Sequence, residues 1–397
     1  MMNLLLRTFI LLSSAGAVFS APTPKCTTDA DCNYNGICTS AYTCTCDPGW
    51  RSTDCGALDL YPATRNTGYN QTSNGISSWG GKIIHDPSDP QTFHLFAEEF
   101  TYGCGLDSWS PYSRVIRAES NTGPAGPYHF AAEVLGTFAH NPTVVYSPAD
   151  KLYLMHHIGC PVSPSGTCDS LNFTCGFGNN QNGESGISLM TSTDLRNWTN
   201  YGMVLTSGGN GTWDTDVTNP SAMALDSLSH HTPEVLLAYR GCPFNCISGL
   251  SELNKEQINL AVAPTFKGPY TRLHNTPLIP QNEDPFLWRD KRGHYHMLMH
   301  SLELDGGFGY GPDVGRHAYA ETYDGPWVFN NNTLAFNWTV TFTDGTSVDY
   351  FRRERPVLFF SEDGEMTPLF LINGVQERNG SDVSFTMIQP LGGSASL

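Results

Sequence analysis

Carboxylate side chains border several apolar stretches of the sequence, where they could act as acids or bases. Glu283 and Glu354 each open a Glu-x-Pro sequence that leads into an apolar run. Four further carboxylates end or precede other apolar runs: Glu98, Glu99, Asp214 and Asp216. If the fold brings two of these groups together, one can donate a proton while the other activates water or attacks as a nucleophile. A single carboxylate of this kind is more often solvated or held in a salt bridge.

Basic side chains and a tyrosine suggest a second chemistry. The basic residues in question are His157, Arg240, His300, Arg353 and Arg355. Because arginine binds carboxylate and sulfate groups through two hydrogen bonds, a cluster of these residues would suit a carboxylated or sulfated sugar. His157 or Tyr239 could then remove the proton beside a uronate carboxylate, which is lyase chemistry. The alternative is that these side chains pair with nearby acidic groups and only hold structural units together.

The elements that must position these residues are five similar hairpins. Each consists of an apolar strand, a polar turn and a second apolar or aromatic strand. The hairpins pair residues 79–86 with 92–99, 140–146 with 151–157, 219–221 with 235–240, 283–288 with 294–300, and 354–360 with 368–373. No stretch has sustained helical periodicity with caps.

The spacing of the hairpins predicts the architecture. Counted at Gly81, Asn141, Asn219, Asp284 and Arg355, the intervals are 60, 78, 65 and 71 residues. Five such units fill residues 57–397, and four-stranded units arranged radially leave only short protected edges. The sequence therefore predicts an all-β fold, a five-bladed β-propeller. A β-sandwich is the alternative, because the repeat is imperfect.

A propeller would gather the polar residues at one mouth of its central channel. If each apolar run after Asn-Pro or Asp-Pro is an innermost strand, its start and the end of the second strand lie at the same mouth. The candidate substrate-binding residues there are Trp79, Asn141, Asn219, Arg240, Asp284, His300, Arg353 and Arg355. The candidate catalytic residues are Glu283, Glu99, Glu354, His157 and Tyr239.

The hairpins resemble those of the arabinanase, invertase and family 43 glycoside hydrolase group of five-bladed propellers. The closest stretch runs from Glu283 to Tyr295 and reads EDPFLWRDKRGHY. It is similar to the blade-four strand and turn that carry the general acid of that family as Glu-x-Pro. The resemblance covers the five blade cores, about a third of the chain, and implies that Glu283 is a general acid.

Two of the three carboxylates that this resemblance implies have no counterpart here. The family draws a base from blade one and a pKa-modulating Asp from blade three. Blade three has Asn219 at that place, and blade one reads Ser78-Trp79-Gly80-Gly81 without a carboxylate. The candidates for a replacement base are Glu98, Glu99, Asp214, Asp216 and Glu354, and strand alternation turns one of Glu98 and Glu99 toward the channel.

The expected function is cleavage of glycosidic bonds in a polysaccharide or oligosaccharide. A polysaccharide lyase for uronate-containing glycans and a non-catalytic glycan-binding or adhesion protein are the alternatives. No cofactor or metal is expected: a calcium ion in the channel has no support in the sequence. His156 and His157 form a poor metal motif, because neighbours on a strand point to opposite faces.

Six cysteines within thirty residues define a small module over residues 21–56. A segment this short cannot bury a core and needs disulfides. The order of the cysteines, with Cys44-Thr45-Cys46 in the middle and Asp47-Pro48-Gly49-Trp50 before Cys55, resembles an epidermal-growth-factor-like module. The resemblance implies the pairs 26–38, 32–44 and 46–55. The module would act as a rigid spacer or cap, or else contact a protein or glycan partner.

The other six cysteines follow the second strands of blades one to three: Cys104, Cys160, Cys168, Cys175, Cys242 and Cys246. They predict three disulfides in loops at the mouth, with the pairing open, and zinc is the weaker interpretation. The aromatic residues Trp109, Trp213 and Tyr310 lie in Gly-rich loops and could stack on sugar rings, or merely pack those loops.

Composition and the first residues predict an exported protein. Residues 1–20 read as a signal peptide with small residues before a cut after Ser20. Twelve cysteines and seven Asn-x-Ser/Thr sequons, at Asn70, Asn172, Asn197, Asn210, Asn331, Asn337 and Asn379, agree with secretion. A net charge of −17 disfavours nucleic acid and anionic membranes, and no later stretch predicts membrane insertion.

Overall fold

The computed structural model describes residues 26–169, 185–209, 211–225, 234–243, 256–302, 314–377 and 380–392. Strands hold 51% of the residues and helices 6%, so the predicted all-β fold is confirmed. Five antiparallel sheets form the blades of the predicted five-bladed β-propeller. Within the described residues, no helix has the length and apolar character needed to cross a bilayer.

Each blade is a meander whose strands follow one another from the channel outward. Blade five differs, because a short first strand precedes its innermost strand and pairs with the beginning of that strand. Blade one consists of Ser78–His85, Phe93–Phe100, Ser113–Ser120 and His129–Leu135. Blade two consists of His140–Ser147, Leu152–Ile158, Gly186–Ser192 and Thr199–Thr206. Blade three consists of Asp216–Ala224, Val235–Cys242, Gln257–Ala263 and Thr271–Arg272, with Ile279–Pro280 also paired to its third strand.

Blade four consists of Asn282–Arg289, Tyr295–Ser301, Val314–Ala320 and Val328–Phe329. Blade five consists of Thr339–Thr341, Ser347–Phe360, Pro368–Glu377 and Ser384–Pro390. The helices are short: Asp29–Cys32, Thr72–Asn74, Thr101–Gly103, Leu106–Ser108 and Trp109–Tyr112.

The segment before blade one closes the ring against blade five. The Tyr69 N–H donates to the Thr386 carbonyl at 2.9 Å, and the Thr386 N–H donates back at 3.2 Å. Leu60 forms a second antiparallel bridge with Leu391. The outer strand of the last blade is therefore paired with an early part of the chain, which protects a sheet edge.

One conformational feature repeats in all five innermost strands. At each, one residue takes a left-handed φ between 50° and 57°; these residues are Gly80, Asn141, Asn219, Asp284 and Arg355. Proline follows four of them and cannot donate to the strand ladder, so pairing with the second strand breaks at this point. We predicted Gly81 as the blade-one member of the repeat. The structure places Gly80 there, because Gly81 takes the position that proline holds in the other blades.

The N-terminal module packs on the turn end of blades four and five, opposite the mouth. Its disulfides are Cys26–Cys38, Cys32–Cys44 and Cys46–Cys55, as the resemblance implied, and its strands are Gly36–Cys38, Cys44–Cys46, Trp50–Arg51 and Ala57–Leu58. Tyr34 stacks on His294 with ring centroids 3.8 Å apart, and Trp50 stacks on Trp288 at 6.3 Å. These contacts make the module a cap that shares a buried apolar cluster with the propeller.

Candidate active site

All five blades meet through the side chain of Arg355 at the mouth of the channel. Its guanidinium forms ion pairs with Glu98 of blade one at 2.5 Å and with Asp284 of blade four at 3.1 Å. Glu98 also accepts the backbone N–H of Asn141 from blade two at 2.9 Å. Asn219 of blade three donates its side-chain amide to Asp284. We call these five residues the Arg355 network.

Arg355 also explains why blade one carries no carboxylate on its innermost strand. A Cβ atom at Gly80 would lie 3.2 Å from the Arg355 Cβ and 3.4 Å from its Nε. The left-handed φ of Gly80 adds a second reason for glycine. The arginine therefore fills the space beside blade one in which the family resemblance implied a base.

A second arginine, Arg240 of blade three, holds three carboxyl groups. Its guanidinium lies 2.6 Å from Glu256, 3.0 Å from Glu283 and 3.6 Å from Asp216. The His300 imidazole contacts the other oxygen of Glu283 at 3.0 Å. We call these five residues the Arg240 network, and all of them are buried.

Glu256 and Glu283 contact the same guanidinium nitrogen, and their pKa values are driven apart. Burial and the charge of Glu283 raise the pKa of Glu256 to about 8, against the effect of Arg240. Burial also acts to raise the pKa of Glu283, but the hydrogen bond and charge of His300, together with Arg240, hold it at about 2. At neutral pH the pair therefore keeps one proton, and the directions of the two shifts favour Glu256 as its holder.

Burial raises the pKa of the neighbouring carboxyl groups as well. The pKa of Asp216 rises to about 6, although Arg240 and a hydrogen bond from Ser185 oppose the shift. The pKa values of Glu98 and Asp284 rise for the same reason, and Arg355 opposes both shifts. Such raised carboxyl pKa values are typical of sites that hold protons for chemistry.

The mouth is acidic, which overturns our interpretation of it as a cationic site. Five buried carboxyl groups pair with the guanidinium groups of Arg240 and Arg355: Glu98, Asp216, Glu256, Glu283 and Asp284. A sixth, that of Glu354, lies beside Glu283 and Asp284. Both arginines are already engaged by carboxylates. Arg353 points away from the mouth, where its guanidinium donates to Asn373 at 3.0 Å and Gln389 at 2.7 Å.

Four residues of this region could together hold a metal ion. Glu283, Asp284, His300 and Glu354 each offer one ligand atom, and these atoms lie within 4.8 Å of one another. Carboxylate oxygens with one imidazole nitrogen form a donor set that suits divalent cations. Sequence reasoning assigned no metal ligands, because these residues come from three separate strands of two blades.

Three of the predicted catalytic residues lie away from this cluster. Glu99 accepts a hydrogen bond from Tyr69 and forms an ion pair with Arg114, on the opposite face of its strand from Glu98. Tyr239 donates its hydroxyl to Asp214 at 3.2 Å and packs in the core between blades. His157 contacts the carbonyl of Ile158. Because neighbouring residues of a strand point to opposite faces, Glu98 and Arg240 face the mouth of the channel, whereas Glu99 and Tyr239 face away from it.

The remaining predicted residues lie at the mouth or form its wall. Trp79 is buried beside Phe100 and Leu106, and Trp109 packs against this cluster. Trp109 also stacks on His140, with ring centroids 4.6 Å apart. Trp213 stacks on Tyr239 instead, and Tyr310 lies outside the described residues.

Disulfides fasten the loops around the mouth. Cys104 pairs with Cys168 and so joins a loop of blade one to a loop of blade two. Cys160 and Cys242 are also disulfide-bonded. The other two cysteines, Cys175 and Cys246, lie outside the described residues.

Sequence reasoning missed Glu256. The residue directly precedes the third strand of blade three, whereas the hairpin pattern in the sequence covers only the first two strands of each blade. A signal was present, since Glu256 stands two residues before the mainly apolar run 258–263. Its role depends on Arg240 and Glu283, which lie on two other strands.

Solved structures with the same architecture are glycoside hydrolases. The catalytic domain of a Coprinopsis cinerea GH62 α-L-arabinofuranosidase is 13% identical over 85% of this chain and 98% of its own, with a TM-score of 0.54. A thermostable family-43 glycoside hydrolase is 12% identical over 83% and 92%, with a TM-score of 0.52. This chain shares their fold. A family 117 glycoside hydrolase of Zobellia galactanivorans, Zg3597, matches at 12% over 88% and 93%, with a TM-score of 0.54.

Comparisons of sequence alone give no relative. No protein-family profile matches this chain, and no curated protein matches it. At these identities the structural likeness concerns the propeller fold, and the activity has to be argued from the site itself.

Proposed function

We propose that this protein is a glycoside hydrolase in which the Glu256–Glu283 pair supplies the acid proton. The observation that carries the proposal is the contact of both carboxyl groups with one Arg240 nitrogen, at 2.6 and 3.0 Å. A carboxyl group that keeps its proton at neutral pH is what glycosidic cleavage needs in order to protonate the leaving oxygen.

In the proposed reaction, the proton passes from Glu256 to Glu283 and then to the glycosidic oxygen as the C–O bond breaks. Arg240 balances the negative charge that the pair gains, and His300 fixes the orientation of the Glu283 carboxylate. A second carboxylate takes a proton from water, whose oxygen attacks the anomeric carbon. The second carboxylate then releases its proton to solvent, and Glu256 takes one up from solvent, which restores the starting state.

We propose Glu98 as the second carboxylate. One of its oxygens is fixed by Arg355 and by the N–H of Asn141, whereas the other has no hydrogen-bond partner among the described residues. Glu354 is a poorer base for water attack, because its ligand atom lies within 4.8 Å of that of Glu283. An inverting pair needs roughly 6.5–9.5 Å to admit a water molecule, whereas a retaining pair lies roughly 5–5.5 Å apart.

The site gives little support to lyase chemistry. The two bases proposed for it, His157 and Tyr239, make their contacts away from the carboxylate cluster. Both arginines that would neutralise a uronate are already paired with carboxylates. An acidic mouth would repel an anionic sugar.

A non-catalytic glycan-binding protein is the second candidate, and one observation favours it. Arg355 occupies the space of the expected blade-one base, and Asn219 stands where the resemblance implied an Asp. A propeller that had lost hydrolysis could carry both changes while it kept a sugar-binding mouth.

The test is an assay of purified protein on neutral and uronate-containing polysaccharides, with reducing ends and unsaturated-uronate absorbance followed together. We expect reducing ends without absorbance. We expect Glu283→Gln and Glu256→Gln each to lower the rate by about 10²–10⁴-fold, the usual contribution of a general acid. The control is Glu321→Gln, which should keep full activity, because Glu321 is exposed and directly follows the third strand of blade four.

The stereochemistry of the product then identifies the base. Inversion at the anomeric carbon, seen by NMR in the first turnovers, together with inactivity of Glu98→Gln, supports Glu98. Retention would transfer the role to Glu354 as a nucleophile. Absence of products with every glycan, but measurable binding, would favour the non-catalytic candidate.

We also propose that the protein acts outside the cell. Four disulfides join pairs of cysteines within the described residues, which fits an oxidising compartment. All four sequon asparagines in the described part of the chain, Asn70, Asn197, Asn331 and Asn337, are exposed. The proposed signal peptide lies outside the described residues, and expression with residues 1–20 deleted should abolish export into the medium.

A further inference from the structure

Below the mouth, five side chains line the channel at one level. They belong to the residues that follow the proline position of each innermost strand: Lys82, Thr143, Ser221, Phe286 and Val357. We call them the channel ring. Three adjacent blades supply an ammonium group and two hydroxyl groups, and the other two blades supply apolar side chains.

Lys82 is the unusual member of the ring. Its ammonium lies 4.5 Å from the centroid of the Phe286 ring, and among the described residues it has neither a carboxylate nor a hydrogen-bond acceptor. Arg240 and Arg355, in contrast, both contact carboxylates. An ammonium group that is partly withdrawn from bulk water without a counter-charge is costly, and a cation–π contact offsets only part of that cost.

The hydroxyl groups of the ring can donate into the channel. Ser221 Oγ accepts the backbone N–H of Leu287 at 3.0 Å, so its own proton is available to another acceptor. The Thr143 hydroxyl makes no hydrogen bond with the described residues. The carboxylate that lines the same cavity, Asp284, is already held by Asn219 and Arg355.

We propose that the channel ring binds a small monovalent inorganic anion, of halide size, between the Lys82 ammonium and the hydroxyl groups of Thr143 and Ser221. The three donors line one cavity, and the other two members of the ring, Phe286 and Val357, carry no side-chain acceptor that would repel an anion. The Arg355 network spans the channel above the ring, so a free ion fits better than a carboxylate attached to a sugar.

The charge state of Lys82 gives this site a pH dependence. Burial lowers the pKa of Lys82 to about 8. The ring holds no other titratable group, and the charged residues that line the same cavity above it, Asp284 and Arg355, form an ion pair with each other. The ammonium form binds the anion below this pH, and the neutral amine that forms above it does not. Anion-dependent stabilisation should therefore be present at pH 6.5 and absent at pH 9.5.

The experiment is thermal unfolding of the full chain in sodium bromide, chloride, acetate or gluconate at constant ionic strength. We expect the Tm to rise with bromide and chloride at pH 6.5 but not with gluconate, which is too large for the ring. Lys82→Met should weaken the apparent bromide affinity at least about tenfold, as the loss of one charge-assisted hydrogen bond implies. A response to acetate larger than that to bromide would assign the site to carboxylates and overturn the proposal.

Two further variants keep the test decisive. Lys267→Met is the matched control, because this exposed lysine also faces a phenylalanine ring, at 5.5 Å, and its loss should leave the bromide response intact. Thr143→Val removes one donor with little change of shape and should weaken the response severalfold, even if Lys82→Met does not fold. A bromide anomalous signal beside Lys82 in crystals would support the site. Equal halide responses in wild type and Thr143→Val, with no such signal, would overturn it.

Discussion

The two arginine networks of the mouth use the same residue type for different purposes. Arg355 binds two carboxylates that come from different blades, and each carboxylate also accepts an amide N–H of another blade. Arg240 binds three carboxyl groups from blades three and four, and one of them keeps a proton at neutral pH. With two carboxylates on one guanidinium, the Arg355 network acts as a clamp between blades. With three carboxyl groups on one guanidinium, the Arg240 network can hold and release a proton.

The largest expected effect is on stability and belongs to the clamp. Arg355→Met should lower the free energy of unfolding by about 3–5 kcal/mol, because it leaves Glu98 and Asp284 as buried charges without a partner. Urea unfolding followed by tryptophan fluorescence measures this loss. Arg289→Met, at an exposed arginine of blade four, is the control. A loss below about 1 kcal/mol would remove the distinction between the two networks.

The Arg240 network should control the pH dependence of activity. Because the pKa of Glu256 is raised to about 8, the acid proton is lost as the pH rises through that value, and kcat should fall on the alkaline side. Glu256→Gln cannot titrate, so its residual activity should lack this limb. If kcat of Glu256→Gln still fell at the same alkaline pH as that of the wild type, another group would hold the proton.

The same pair should shape the pH dependence of stability, with opposite signs for its two members. The raised pKa of Glu256 contributes stability that is present below its unfolded-state pKa and is lost as the pH rises toward 8. The lowered pKa of Glu283 contributes stability that is lost as the pH falls toward 2. Denaturant unfolding between pH 3 and 9 should therefore show the acid loss reduced in Glu283→Gln and the alkaline loss reduced in Glu256→Gln.

A smaller effect should follow from restoring the carboxylate that the resemblance implied in blade three. Asn219→Asp replaces a hydrogen-bond donor to Asp284 with a second carboxylate. We expect a loss of about 1–3 kcal/mol at pH 7, which shrinks at pH 4 when one of the two carboxyl groups takes up a proton. Comparison of the two pH values by urea unfolding separates this repulsion from a defect of packing.

The smallest effect concerns a residue outside both networks. Tyr239→Phe removes the hydroxyl contact with Asp214 and should cost about 1 kcal/mol of stability while the rate of glycan cleavage stays unchanged. A loss of activity of tenfold or more at unchanged stability would reopen the lyase interpretation.

The hairpins could be predicted from the sequence because their cause is local. Asn-Pro, Asp-Pro and Arg-Pro sequences mark the places where the innermost strands leave the ladder, and apolar alternation follows them. In blade one two glycines stand in place of the X-Pro pair, so nothing in the sequence distinguishes Gly80 from Gly81. That ambiguity of one residue produced our error in the register of the repeat.

The electrostatics of the mouth could not be predicted in the same way. The sequence left open whether Arg240 and Arg355 bind a ligand or pair with acidic groups, because their partners Glu256, Glu98 and Asp284 come from other strands or blades. Whether a basic side chain faces a ligand or a carboxylate depends on contacts between distant segments. The choice between Glu98 and Glu99 likewise depends on how the second strand pairs beyond the break in register.

Ring closure carries a consequence for how this chain is made. The segment around Tyr69 leaves the ribosome well before its hydrogen-bonding partner Thr386, which follows 317 residues later in the chain. Until then, the nascent chain exposes an unpaired strand at each end of an incomplete circle, and such edges invite aggregation. Vectorial synthesis can therefore build blades one by one, but the finished propeller has to wait for the last strand.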